Sequence, residues 1–104
     1  MDTKLKQEIE NMIKQNKVFL FMKGEKDMPM CGFSRQVVTI LNELNVDFKT
    51  FNILSDEKIR AAVKEYSSWP TYPQVYVNGE FIGGCDIITE MFEEGELQKL
   101  FLKN

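Results

Sequence analysis

"QVYVNGEFIGG", residues 74–84, decides the fold. Two β-rich runs flank Asn78-Gly79, the pair favoured by a tight two-residue hairpin. The segment predicts two adjacent antiparallel strands. Before it stands "WPTYP", residues 69–73, a proline-punctuated turn. After it, Asp86 is placed to cap a helix with Ile87, Ile88, Met91 and Phe92 inward and Gly95 at its end. Leu97, Leu100 and Phe101 predict a short last helix.

Upstream, Leu5, Ile9, Met12 and Ile13 recur at helical spacing and predict an amphipathic first helix ending near Asn16. "KVFLFM", residues 17–22, is a short apolar run and predicts a buried strand. "GEKDMP", residues 24–29, reads as loop. Val37, Val38, Ile40, Leu41 and Leu44 predict a second helix that starts just after Cys31. "DFKTFNI", residues 47–53, alternates as a strand. Ser55 or Asp56 then caps a third helix with Ile59, Ala62, Val63 and Tyr66 on its buried stripe. A strand-helix-strand unit implies a right-handed crossover between parallel strands. With the hairpin added, the expectation is α/β: a mixed four-stranded sheet, helices on both faces, and residues 1–104 as a single domain.

Composition narrows the function. The 104 residues carry a net charge of −3, which argues against a nucleic-acid partner. No apolar run is long enough to span a bilayer. "MDTKLKQEIENMIKQ" lacks the apolar centre of a signal peptide and is too acidic for a typical transit peptide. With two cysteines, the chain is not a disulfide scaffold, and a reducing compartment is expected. There is no histidine, which removes imidazole bases and ligands. Two thiolates alone cannot complete a tetrahedral sulfur site, so a metal held by sulfur must borrow ligands.

Cys31 carries the chemistry. It sits where the second helix begins, and the free N–H groups and dipole of a helix start favour a thiolate. Lys23 and Lys26 add positive charge, and Gly32 lets a ligand approach. In "PMCGFS", residues 29–34, the position three after the cysteine holds Ser34, where a disulfide-exchange motif carries its second thiol. A hydroxyl cannot resolve a mixed disulfide; Ser34 itself reads as an ordinary residue of the first helical turn. Cys85, after Gly83-Gly84, either lines the same site or is a small residue at a tight turn. Gly83-Gly84 with Asp86 offers N–H groups and a carboxylate that can clamp a zwitterion, and equally forms an ordinary turn and cap. Pro73 is either a cis-proline exposing its neighbour's backbone or a plain proline at the strand start. Trp69 and Tyr72 are core or rim. Arg60 and Lys64, four apart, either grip a carboxylate or form a solvated face.

Together, "FMKG", "PMCGFS", "WPTYPQVYVNGEFIGGCDI" and "GEL" resemble the monothiol, CGFS-type glutaredoxins, from about Leu5 to Phe101. The resemblance implies a thioredoxin fold and a glutathione site. Cys31 would be the active thiol and metal ligand. Lys23 and Arg60 would face the glycine-end carboxylate of glutathione. Tyr72, before a cis Pro73, would pair through its backbone with the tripeptide's cysteine. Cys85 and Asp86 would contact the γ-glutamyl end, with Trp69, Gly83 and Gly84 framing the site. The class binds a [2Fe-2S] cluster between two subunits and two glutathiones, and such a cluster needs four thiolates. The resemblance thus implies a homodimer when loaded, cluster carriage and iron homeostasis, with BolA-like proteins and iron–sulfur acceptor apoproteins as partners. The alternative is a glutathione-dependent oxidoreductase working through Cys31 alone; a third option is a redox sensor that pairs Cys31 with Cys85. A bacterial-type cytoplasm is the expected location, a mature mitochondrial or plastid form the other.

Overall fold

Val18–Met22 (β1) is buried at all five positions because both of its faces are covered. Val18, Leu20 and Met22 point into one core, and Phe19 and Phe21 into a second. This is the period-two alternation of a strand at the centre of a three-layer fold. The computed structural model describes residues 1–102.

β1 pairs in parallel with Phe48–Asn52 (β4), Val18 opposite Phe48 and Met22 opposite Asn52. On its other side it pairs antiparallel with Gln74–Val77 (β5), which turns through Asn78-Gly79 into Glu80–Gly83 (β6). Asn78 and Gly79 have φ of 53° and 79°, the left-handed values that such a turn requires. The sheet order is β4-β1-β5-β6. Between β1 and the second helix, Gly24–Glu25 (β2) and Met28–Pro29 (β3) form a small separate hairpin where a loop was expected.

Thr3–Ile13 (α1) and Glu57–Ser67 (α3) cover one face of the sheet, with Ile9, Ile13, Ile59 and Val63 packed on Phe19, Phe21 and Tyr76. Gly32–Glu43 (α2), Cys85–Glu93 (α4) and Glu96–Leu102 (α5) cover the other, through Val37, Leu41, Ile88 and Leu97. Local signals set the helix ends. Asp2 caps α1 and Asp56, not Ser55, caps α3, each carboxylate accepting first-turn N–H groups. Ser55 lies instead in a short 3-10 turn, Ile53–Ser55. The first helix ends at Ile13, a few residues before Asn16. Gly95, at φ 78°, separates α4 from α5.

One expectation at the start of α4 is corrected. The helix begins two residues earlier than its sequence suggests, so Gly84, not Asp86, holds the cap position and Asp86 lies in the first turn, exposed and without a capping bond. The same shift turns Ile87 outward; it is 37 % exposed, while Ile88 is buried.

Candidate functional site

Three chain segments meet at the end of the sheet where β1 finishes. The first carries Cys31. Its extended backbone (φ −152°, ψ 138°) makes it the cap residue of α2, and the Arg35 N–H donates to its carbonyl at 2.9 Å. The thiol is part-exposed and free.

The loop before it is tied down at both ends. Lys23 follows β1 directly: its N–H donates to Ser34 Oγ at 3.1 Å, and its carbonyl accepts the Met30 N–H at 2.9 Å. Gly24 takes φ 95°, and a Cβ there would sit 2.6 Å from the Met28 carbonyl and the Met30 nitrogen, so the fold requires glycine. Its N–H donates to Asn52 Oδ1 at 2.9 Å, and Asn52 Nδ2 reaches Glu25 at 3.2 Å. The β2–β3 hairpin is therefore fastened to the end of β4.

Burial pushes the Cys31 thiol up, but opposing influences outweigh it. The Ser34 and Phe33 backbone N–H groups, the Lys23 charge and the Ser34 hydroxyl together hold its pKa below the ordinary value. Lys26 does not take part: its Nζ donates to the Phe48 carbonyl at 2.9 Å and lies over the Phe48 ring. That corrects the expectation that it charges the thiol loop.

The second segment is residues 69–73. The Tyr72–Pro73 peptide bond is cis. Tyr72 is buried, its hydroxyl donating to the Arg60 carbonyl at 2.5 Å, and burial pushes its pKa up. This bond joins the turn to α3, which brings Arg60 and Lys64. The third segment is the start of α4. Gly83 and Gly84 are both filled against: a Cβ on Gly83 would lie 2.8 Å from Ile87 Cβ, and one on Gly84 3.2 Å from Trp69 Nε1 and from the Pro73 carbonyl. Cys85 is buried at the first position of α4, 4.0 Å from Thr89 Oγ1, and burial pushes its thiol up despite that contact.

Between the segments lies a cavity of about 420 Å³. Lys23, Cys31 and Phe33 line it from the thiol side, and Arg60, Lys64, Trp69 and Tyr72 from the α3 side. Gly84, Cys85, Asp86 and Ile87 close it from α4. Among the described residues, no ion pair engages Lys23, Arg60 or Lys64. Three cations thus share one cavity with a single carboxylate, Asp86. A cavity charged in this way suits an anionic or zwitterionic ligand.

The glutaredoxin family model matches residues 18–82. The chain belongs to the glutaredoxin family, in its monothiol class. An uncharacterised monothiol glutaredoxin of Porphyra purpurea is 58 % identical over 94 % of this chain and 92 % of its own. A probable monothiol glutaredoxin of Rickettsia typhi is 54 % identical over 96 % and 90 %. The solution structure of reduced poplar apo GrxS14 superposes with a TM-score of 0.82 at 50 % identity, covering 95 % and 94 %. The thioredoxin fold expected from the motifs is the fold of this glutaredoxin.

The site residues named from the sequence, Lys23, Cys31, Arg60, Tyr72, Cys85 and Asp86, all line the one cavity; Pro73 follows Tyr72 through the cis bond, behind Gly84. Three residues of this glutaredoxin escaped sequence reasoning. Ser34 does lie in the first turn of α2, but it is fully buried and bonded to Lys23 rather than ordinary. Asn52 anchors the β2–β3 hairpin. Gln74 is fully buried beneath the 69–73 turn. The sequence signal available for Gln74 was a polar residue opening an otherwise apolar strand.

Proposed function

We propose that this glutaredoxin binds glutathione in the 420 Å³ cavity and, as a homodimer, carries a [2Fe-2S] cluster to acceptor proteins. The observation that carries the reading is one cavity holding an acidified, part-exposed thiol, three cations that form no ion pair among the described residues, and Asp86. α3 and α4 cover opposite faces of the sheet, so the cations of α3 and the carboxylate of α4 approach the cavity from opposite sides. Glutathione carries a carboxylate at its glycine end and an ammonium and a carboxylate at its γ-glutamyl end. Lys23 and Arg60, with Lys64 beside them, would take the glycine carboxylate. Asp86 and the first N–H groups of α4 would hold the γ-glutamyl end. The Tyr72 backbone beside the cis bond would pair with the central cysteine, placing its sulfur next to Cys31.

The donor set fits a shared cargo. Among the described residues, no group of three or more His, Cys, Asp or Glu side chains could hold a metal ion. Cys31 supplies one thiolate, a bound glutathione a second, and a second subunit with its own glutathione the remaining two that a [2Fe-2S] cluster needs. The residues of this chain would hold the glutathione, favour the thiolate of Cys31 and leave its sulfur open to a second subunit. Phe33, 61 % exposed beside the thiol, provides apolar surface for that contact.

A second reading rests on the lowered pKa of the part-exposed Cys31 thiol. The Cys31 thiolate attacks a glutathione mixed disulfide, the substrate leaves as its thiolate, and Cys31 is left bonded to glutathione. A second glutathione then displaces Cys31 and forms oxidised glutathione. Ser34 cannot act as a resolving thiol.

Anaerobic reconstitution with iron, sulfide and glutathione tests the carrier reading. Visible absorption, iron content and size-exclusion should report a coloured dimer that requires glutathione. A coloured monomer formed without glutathione refutes it.

A further inference from the structure

We infer that Gln74 is a positioning residue: its buried carboxamide holds the 69–73 turn so that the main chain of Tyr72 faces the cavity. The inference rests on the glutathione reading above.

Gln74 is the first residue of β5, fully buried, and every polar atom of its side chain is used. Nε2 donates to the Trp69 and Thr71 carbonyls, both at 3.2 Å. Oε1 accepts from the Tyr76 hydroxyl, also at 3.2 Å. A carboxamide is the neutral group able to give two donors and still accept. The two carbonyls belong to alternate residues of the turn that contributes Trp69, Pro70, Thr71 and Tyr72 to the cavity wall. With both drawn down toward the sheet, Tyr72 between Thr71 and the cis bond is left as the turn's main-chain contact point for a ligand. The Tyr72 hydroxyl is already committed to Arg60, which fixes the ring but not the backbone. The same pull seats the Trp69 indole against Gly84, its Nε1 buried without a partner. Gln74 thus acts on both sides of the cavity without touching the ligand.

The test compares Gln74→Met, which keeps size and removes all three bonds, with Tyr76→Phe, which removes the bond to Oε1 and leaves both carbonyl bonds in place. Reduced glutathione is titrated calorimetrically into each folded protein, well below its unfolding temperature. Gln74→Met should weaken binding about tenfold, the loss of roughly one well-placed hydrogen bond. Tyr76→Phe should lose thermal stability and bind as the wild type does. Equal affinity in wild type and Gln74→Met overturns the inference. Should Gln74→Met not fold, Gln74→Asn, whose shorter amide cannot reach both carbonyls, carries the same expectation. A wild type that fails to bind glutathione refutes the functional reading instead. Positioning is then judged by acrylamide quenching of Trp69, the single tryptophan. Quenching should rise at least twofold in the Gln74 variant, and unchanged quenching overturns the inference.

Discussion

Ser34 Oγ accepts the Lys23 N–H at 3.1 Å, which binds the end of the central strand to the first turn of the thiol helix. In the disulfide-exchange arrangement this position carries a second thiol. Here it carries a fully buried hydroxyl that fixes the approach of Lys23 to Cys31. Ser34→Ala would leave a part-buried N–H without its acceptor, at a cost toward the low end of about 1–3 kcal/mol. The melting temperature should fall by roughly 4–8 °C per kcal/mol in a chain of this size. Thermal unfolding checks it; an unchanged midpoint would show that water replaces the hydroxyl.

The two thiols should separate in pH. Cys31 is lowered and Cys85 raised, so alkylation of Cys31 should reach half-maximal rate at lower pH than alkylation of Cys85. The sign for stability follows. A depressed thiol stabilises the folded state fully above its unfolded pKa, and that contribution fades as pH falls through the folded value. Cys31 therefore favours folding on the alkaline side, and Cys85, whose pKa is raised, opposes it as pH climbs past the unfolded thiol value. Iodoacetamide kinetics with mass-spectrometric assignment checks the order, and co-titration of the two thiols would contradict it.

Fastening of the turn to α3 should matter for the cations. Tyr72→Phe removes the bond to the Arg60 carbonyl. It should lower stability by about 0.5–1.5 kcal/mol and weaken glutathione binding less than Arg60→Ala does. Calorimetric titration of both variants checks the ranking; a larger loss in Tyr72→Phe would place the ring hydroxyl, not the guanidinium, at the ligand.

Much of this was legible in the sequence where the cause is local. Asn78-Gly79 specifies its turn through backbone preference alone, and both strands of that hairpin lie where the run of residues 74–83 puts them. The fully apolar β1 declared itself as buried because only a strand covered on both faces excludes polar residues throughout. What was missed depends on distant partners. Gly24–Pro29 pairs over two residues a side, too short for any period, and is held by Asn52 from across 28 positions. Lys26 is drawn to Phe48, which no local signal announces. Asp86 resembles a cap in sequence, but the helix starts at Cys85 because the extended Gly84 already serves as its boundary. Ser34 and Gln74 read as plain polar residues until the groups they bond are in place.

Gly83→Ala should be disruptive on packing grounds. The added methyl would lie 2.8 Å from both Cβ and Cγ2 of Ile87, atoms near the backbone that cannot swing away cheaply. Overpacking of this kind costs typically ~1–3 kcal/mol. Since Ile87 lines the cavity, glutathione binding should fall together with the melting temperature. The double variant Gly83→Ala/Ile87→Ala should regain part of the stability, and a failure to do so would mean that the strain lies in β6 itself.

Lys23 and Arg60 give the sharpest test of the glutathione clamp. Lys23 is fixed by main-chain bonds on both sides, to Ser34 and from Met30, while Arg60 leaves the first turn of α3. They come from different elements, the end of β1 and the start of α3, yet line one cavity, half-buried and free of ion pairs among the described residues. A charge-assisted hydrogen bond to a carboxylate contributes roughly 1.5–3 kcal/mol, and partial exposure reduces it. Each alanine variant should therefore weaken glutathione binding about tenfold, ~1.4 kcal/mol being a factor of ten. The two losses should not add fully, because both side chains would hold the same carboxylate. Cluster decay at fixed glutathione should quicken in both variants, while apo unfolding stays near that of the wild type. Lys23→Ala should also raise the Cys31 pKa, since the ammonium helps hold the thiolate, whereas Arg60→Ala should leave it unmoved. Decay followed by visible absorption, with Cys31 alkylation rates alongside, separates the two roles. Unchanged decay in both variants would remove these residues from the glutathione site and leave Lys23 with the thiol alone.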